Sequence, residues 1–294
     1  MARYKENKHL SNFKSFLVES IPNQTDNISR IIIKIIFFLC IIGIVSSCIY
    51  SMGYFGKNHA ERKIINQERE DFSLEYGNLL LKQENNDFIA WIKIKNTELN
   101  NPIYQTDDNE YYLNHNALGK DSDYGALFLD CNSDFSDRNI VVYGNTKEDG
   151  SLFSTLHQYR RMNFVRDNPI VTLTKTQEDY DYCVFAVFVI DSNKDQDTSF
   201  NVCQKDFSSA KTFDKWIKEA RMRSFIMPSV DLNIEDEYLT LITSCDDFDG
   251  ARLVVMARRL REGETPTKEY KYTINQNPKF PKKWYSDRNI NYPF

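Results

Sequence analysis

The amino-acid sequence predicts a mainly β fold with helices, preceded by one transmembrane helix. Three observations carry that reading: one long apolar run near the N-terminus, a series of short β-rich runs split by turn clusters, and a single clear amphipathic helix among them. Many short strands at loosely regular spacing favour a barrel or sandwich over a sheet of βαβ units. The chain has 294 residues and 41% hydrophobic content, enough for a folded core in one large domain or two small ones. Its net charge of −5 gives no sign of the strongly basic face of a nucleic-acid binder, so no nucleic-acid partner is expected.

The apolar run reads IIIKIIFFLCIIGIVSSCI from Ile31 to Ile49, close to the ~20 residues that a helix needs to cross hydrocarbon about 30 Å thick. Lys34 is charged, but it lies one turn from the start, where its stem reaches the interface. A cleaved signal peptide would begin nearer Met1, with a shorter apolar core and a small-residue cleavage site. The segment 31–55 therefore reads as an uncleaved anchor. Arg3, Lys5, Lys8, Lys14, Arg30 and Lys34 outnumber Glu6, Glu19 and Asp26, which places residues 1–30 in the cytoplasm and the rest outside a single-pass cell membrane anchor.

Residues 56–86 are expected to form a helical stalk or cap, with Ile64, Ile65, Phe72, Tyr76, Leu79 and Leu80 on one docking face. Strands are predicted at 90–94, 126–129, 140–143, 170–173, 182–190, 238–243 and 253–257, with turns at KEDG (147–150) and DSNKDQD (191–197). Phe213, Trp216, Ile217 and Ala220 follow helical spacing, with Ser208 or Asp206 available as the cap. The tail 261–294 is polar and aperiodic, and reads as extended or partly disordered.

Common site motifs are missing: there is no G-x-S-x-G, H-E-x-x-H, Walker loop or G-x-G-x-x-G. The histidines at 9, 59, 115 and 157 are too scattered for a metal site, and no metal or cofactor is expected. Six cysteines show neither a C-x-x-C pair nor the regular spacing of a disulfide scaffold. The strongest local feature is LTLITSC, Leu239 to Cys245, followed by Arg252 at the head of another strand. A thiol at a strand end near an arginine is an environment that favours thiolate; an inert buried cysteine is the alternative.

Over about residues 60–260 the chain resembles class B sortases. DFIAWIKIKNTELNNPIYQTDDNEYYLNHNALGK is similar to the family's opening strand pair and the segment after it, and GALFLD and NIVVYG to its next strands. LTLITSC with Arg252 is similar to the ending T-L-x-T-C…R, with Ser244 in place of the second Thr; either Leu241 replaces the first Thr or one residue is inserted. The resemblance implies a sortase-type eight-stranded β-barrel over residues 87–260 with N-terminal helices. It also implies a membrane-anchored cysteine transpeptidase working outside Gram-positive cells. Cys245 would attack a sorting signal carried by a surface protein or pilin. The thioacyl intermediate would pass to an amine of a peptidoglycan precursor or pilin. Arg252 would hold the oxyanion or the substrate backbone, and Asn114, Thr243 and Ser244 would contact the substrate.

One departure stands out. Where the family has Y-G-H-N-x-x-x-G-x-x-F, this chain has Tyr143 to Phe153 as YGNTKEDGSLF, so Asn145 occupies the histidine position. An amide cannot take or return a proton near neutral pH, and loss of general acid–base catalysis typically costs about 10²–10⁴-fold. Three readings stay open: an impaired or rewired transpeptidase with His115 as substitute base, an inactive homologue that binds a sorting signal or pilin, and an engineered His-to-Asn change. Thr146 departs from the pattern as well, which favours natural change. His157, in LFSTLHQY, reads as a packing residue on a helix.

Overall fold

The computed structural model describes residues 21–23, 26–72, 77–176, 178–193, 200–265 and 270–294, and the chain divides into one unit ending at Lys63 and another beginning at Ile64. Most of the expected cytoplasmic segment, stalk residues 73–76 and part of the 191–197 turn lie outside the described residues.

Helix α1 (Ile28–Phe72) begins in the first unit, carries the apolar run and continues past Lys63, so the apolar run and residues 56–72 lie on one helix. It is long and apolar enough to cross a membrane, and Ile33, Leu39, Ile44 and Ile49 are exposed along it. Lys34, the charge within the run, donates to Asp26 Oδ2 at 2.7 Å.

Among the described residues, the second unit carries ten strands: β1 (Phe88–Lys93), β2 (Asn100–Tyr104), β3 (Leu127–Leu129), β4 (Asn139–Tyr143), β5 (Ile170–Lys175), β6 (Glu178–Asp191), β7 (Ile226–Pro228), β8 (Tyr238–Ser244), β9 (Ala251–Arg259) and β10 (Tyr272–Ile274). Eight of them close a barrel in the order β1-β2-β3-β4-β8-β9-β6-β5, with β5 returning to β1. This is the eight-stranded barrel that the resemblance implied. Strands β2 and β3 pair in parallel, as do β4 and β8; the other barrel pairs are antiparallel.

The period-2 alternation of strand side chains sorts the core. Ile140, Val142, Leu239, Leu241, Leu253 and Val255 fill the barrel interior. Val141, Tyr238, Ile242, Val254 and Met256 face outward, in one cluster with Phe213, Trp216, Ile217 and Ala220 of the helix Ala210–Arg223. That helix is capped by Ser209 rather than Ser208 or Asp206. Ser209 directly precedes the first turn, and its Oγ accepts from Thr212 N–H in a reciprocal capping arrangement.

Of the residues expected on the docking face, Ile65 joins the barrel core, and Phe72 stacks on Trp91 with ring centroids 4.2 Å apart. Leu79 differs, being 57% exposed, because a new helix starts at Gly77 and turns Leu81 inward instead. The tail is also more ordered than its polarity suggests. Residues 272–274 pair with β7, Phe280 stacks on Trp284 at 4.1 Å, and Tyr285 is buried in a short helix, Lys282–Ser286. Its clustered aromatics supply the apolar side that its polar residues mask.

Candidate active site

Parallel pairing of β4 with β8 sets the site. Tyr143 lies opposite Ile242, and Gly144 N–H donates to Ile242 O at 3.2 Å, so Asn145 emerges beside Ser244. Across the other edge of β8, Ser244 lies opposite Arg252 of β9. Residues two apart share a face, so Asn145, Ser244 and Arg252 follow Tyr143, Ile242 and Val254 on the outer surface. Gly144, Thr243 and Cys245 take the inner face. A side chain at Gly144 would put Cβ 2.2 Å from Leu127 Cδ2, which leaves glycine as the residue that fits there.

On the outer face, Asn145 Nδ2 donates to Leu113 O at 2.9 Å and to Tyr124 O at 3.0 Å. Its amide fastens two neighbouring segments. Ser244 is exposed, and Arg252 is half-buried with Nη1 donating to Ala251 O at 3.0 Å.

On the inner face, Cys245 is 9% exposed and belongs to the barrel core with Leu253, Phe248 and Ala251. The Asp247 carboxylate and the Arg160 guanidinium are the charged groups beside its thiol. Arg160, at the end of the 3₁₀ helix Phe153–Arg160, makes two bonds to Asp247, at 3.2 and 2.5 Å. Burial, and then the Asp247 carboxylate, push the Cys245 thiol up to about 12, so it is protonated at neutral pH. Burial also pushes the Asp247 carboxyl up, but Arg160 outweighs it and holds the group below the usual range. The arginine at the thiol is thus Arg160, which the sequence reading did not single out.

His157 was also underrated. Its Nε2 lies 3.1 Å from Ser244 O and 3.0 Å from Thr146 Oγ1, which is itself 2.8 Å from Thr243 Oγ1. The Ser244 carbonyl can only accept, so the contact assigns the ring proton to Nε2. Burial, followed by nearby Arg160, lowers the His157 pKa, and the Ser244 carbonyl with Asp246 and Asp247 partly opposes this. The legible signal was its i, i+3 spacing from Arg160, which brings the two side chains to one side of a 3₁₀ helix. His115 instead stacks on Tyr111 with centroids 4.0 Å apart, with Nδ1 2.8 Å from Tyr111 O and Nε2 3.1 Å from Asp121 Oδ1. It clasps its own loop; neighbouring Asn114 is exposed. Among the described residues, no three His, Cys, Asp or Glu side chains are grouped to hold a metal ion.

The Sortase domain family model matches residues 92–260, more than half of the chain. Sortase B of Listeria monocytogenes is 28% identical over 183 residues, a match spanning 60% of this chain and 72% of that protein. A mutant form of Clostridium perfringens sortase B superposes with a TM-score of 0.63 at 30% identity, covering 68% of this chain and 98% of that one. A sortase B–substrate complex from Staphylococcus aureus, 23% identical, shares the fold with a TM-score of 0.63, covering 70% of this chain and 98% of that one. With the barrel, the paired β4 and β8 ends and the family match in agreement, this chain belongs to the sortase family.

Proposed function

We propose that this chain is a class B sortase-type protein, held at the outer face of the cell membrane by α1, which binds the sorting signal of a surface protein or pilin without turning it over. The observation that carries this reading is the state of Cys245: a core residue whose thiol is pushed up to about 12. A protonated, buried thiol is a poor nucleophile. The amide at Asn145 adds to the case, since it is committed to two backbone carbonyls and has no proton to exchange. Tethering at the surface that carries membrane-attached partners raises their effective concentration, a benefit that does not depend on catalysis.

A second reading is cysteine transpeptidation through a thioacyl intermediate at Cys245, with release to an amine of a peptidoglycan precursor or pilin. The Arg160 guanidinium at the thiol favours it, because a cation there stabilises thiolate. It requires the loop after β8 to turn Cys245 outward. The full chain in detergent, given a panel of sorting peptides and an amine acceptor, separates the two. Saturable binding with no product, unchanged in Cys245→Ala, is the expected result. Product that disappears in Cys245→Ala would establish the transpeptidase.

A further inference from the structure

We infer that Ser244, rather than Cys245, holds the reacting position at the end of β8, and that its hydroxyl and the Arg252 guanidinium together receive the backbone carbonyl of a bound peptide. The inference rests on the sorting-signal reading above and adds which side chains meet the ligand.

The β-ladder supplies the argument. Pairing of β8 with β9 runs without a register shift from Tyr238 opposite Arg258 to Ser244 opposite Arg252. Pairing of β4 with β8 is equally regular, from Asn139 opposite Tyr238 to Tyr143 opposite Ile242. No bulge absorbs an extra residue before Ser244. Thr240, Leu241 and Thr243 therefore stand in the T-L-x-T positions without a shift, and the next position, directly across from the arginine, is Ser244. A one-residue step in a strand reverses the face of the side chain. Cys245 accordingly drops into the core while Ser244 stays exposed.

Ser244 and Arg252, paired at the ends of β8 and β9, thus form one outer row with Asn145, two residues beyond the end of β4. Both Ser244 O–H and Arg252 N–H are donors suited to a carbonyl oxygen. A serine hydroxyl needs a neighbouring base to become a nucleophile, and the amide of Asn145 is not one. The row therefore offers a peptide carbonyl hydrogen bonds while leaving its C–N bond intact.

Two measurements on the full chain test this. The first is labelling with a small charged methanethiosulfonate, mapped by mass spectrometry of the peptides. In Ser244→Cys the new thiol should react at least tenfold faster than Cys245 does in the wild type. Equal rates, or faster reaction at Cys245, overturn the inference whether or not any peptide binds.

The second measurement restores the missing chemistry. In the triple variant Asn145→His, Ser244→Cys, Cys245→Ala, the introduced sulfur should form a bond to the carbonyl carbon of a sorting peptide as the peptide C–N bond breaks. The thiol proton passes through the introduced imidazole to the departing amine. A trapped thioacyl adduct in this variant, with none in the wild type, is expected. An adduct on Cys245 in Asn145→His alone overturns the assignment. Wild-type binding with Cys245 as the faster-labelled thiol defeats this inference and spares the sorting-signal reading. Fast labelling at position 244 with no wild-type binding defeats the sorting-signal reading and the carbonyl contact with it, and leaves standing that Ser244, not Cys245, is the presented residue.

Discussion

The two faces of β8 at its C-terminal end differ more than their sequence neighbours suggest. On the outer face, Ser244 is exposed opposite a half-buried arginine. One residue later and on the inner face, Cys245 is a core side chain beside Asp247 and Arg160. Thr243 and His157, also at the inner end, close a hydrogen-bonded network through Thr146. The contrast teaches that a reactive residue type is not enough: in a strand, the parity of its position decides whether it meets substrate or packing.

The contrast can be broken or sharpened by mutation. Leu241→Ala, at a fully buried inner position, should cost about 2–5 kcal/mol in urea unfolding, whereas outer-face Ser244→Ala should stay within about 0.5 kcal/mol. A Ser244→Ala loss as large as that of Leu241→Ala would mean that Ser244 is structural. Next in size, Arg252→Ala should weaken sorting-peptide affinity by about ten- to a hundredfold in calorimetry, the worth of a charge-assisted hydrogen bond. Arg160→Ala, on the inner side, should leave that affinity unchanged.

Gly125→Ala should cost about 1–3 kcal/mol in thermal unfolding, since φ is +68° and the added Cβ would lie 2.4 Å from Tyr112 O and 2.7 Å from Asn145 Nδ2. A neutral result would show that the Asn145 clamp is slack. The smallest effect is on pH. The folded-state pKa of His157 is depressed, so the unfolded chain binds its proton more readily; its stabilising contribution is present above 6.5 and is lost as pH falls through the lowered folded value. His157→Gln should flatten that part of the stability–pH curve, and an unchanged slope would assign it to other groups.

Much of the barrel was legible because seven of its strands carry β-rich runs bounded by turn residues. Strand β2, with Pro102 and two asparagines, lacks that signature and was visible only through the resemblance; β7 and β10 are too short to show a period. At the site, the motif drew attention to the end of β8 and to Asn145. It did not reveal the side-chain direction of Cys245, because parity depends on the register with β4 and β9. Arg160 and His157 were missed for a related reason. They reach the loop after β8 from a 3₁₀ helix about 85 residues earlier in sequence, a pairing that no local pattern encodes.

The contacts of the tail with the loop after β8 give its order a further meaning. Lys283 Nζ donates to Asp249 O at 2.8 Å and Arg288 Nη2 to Asp247 O at 3.3 Å. The family model's match closes at residue 260, yet the loop after β8 is tied down by residues beyond that border. Inheritance and mechanics therefore draw different boundaries around this domain.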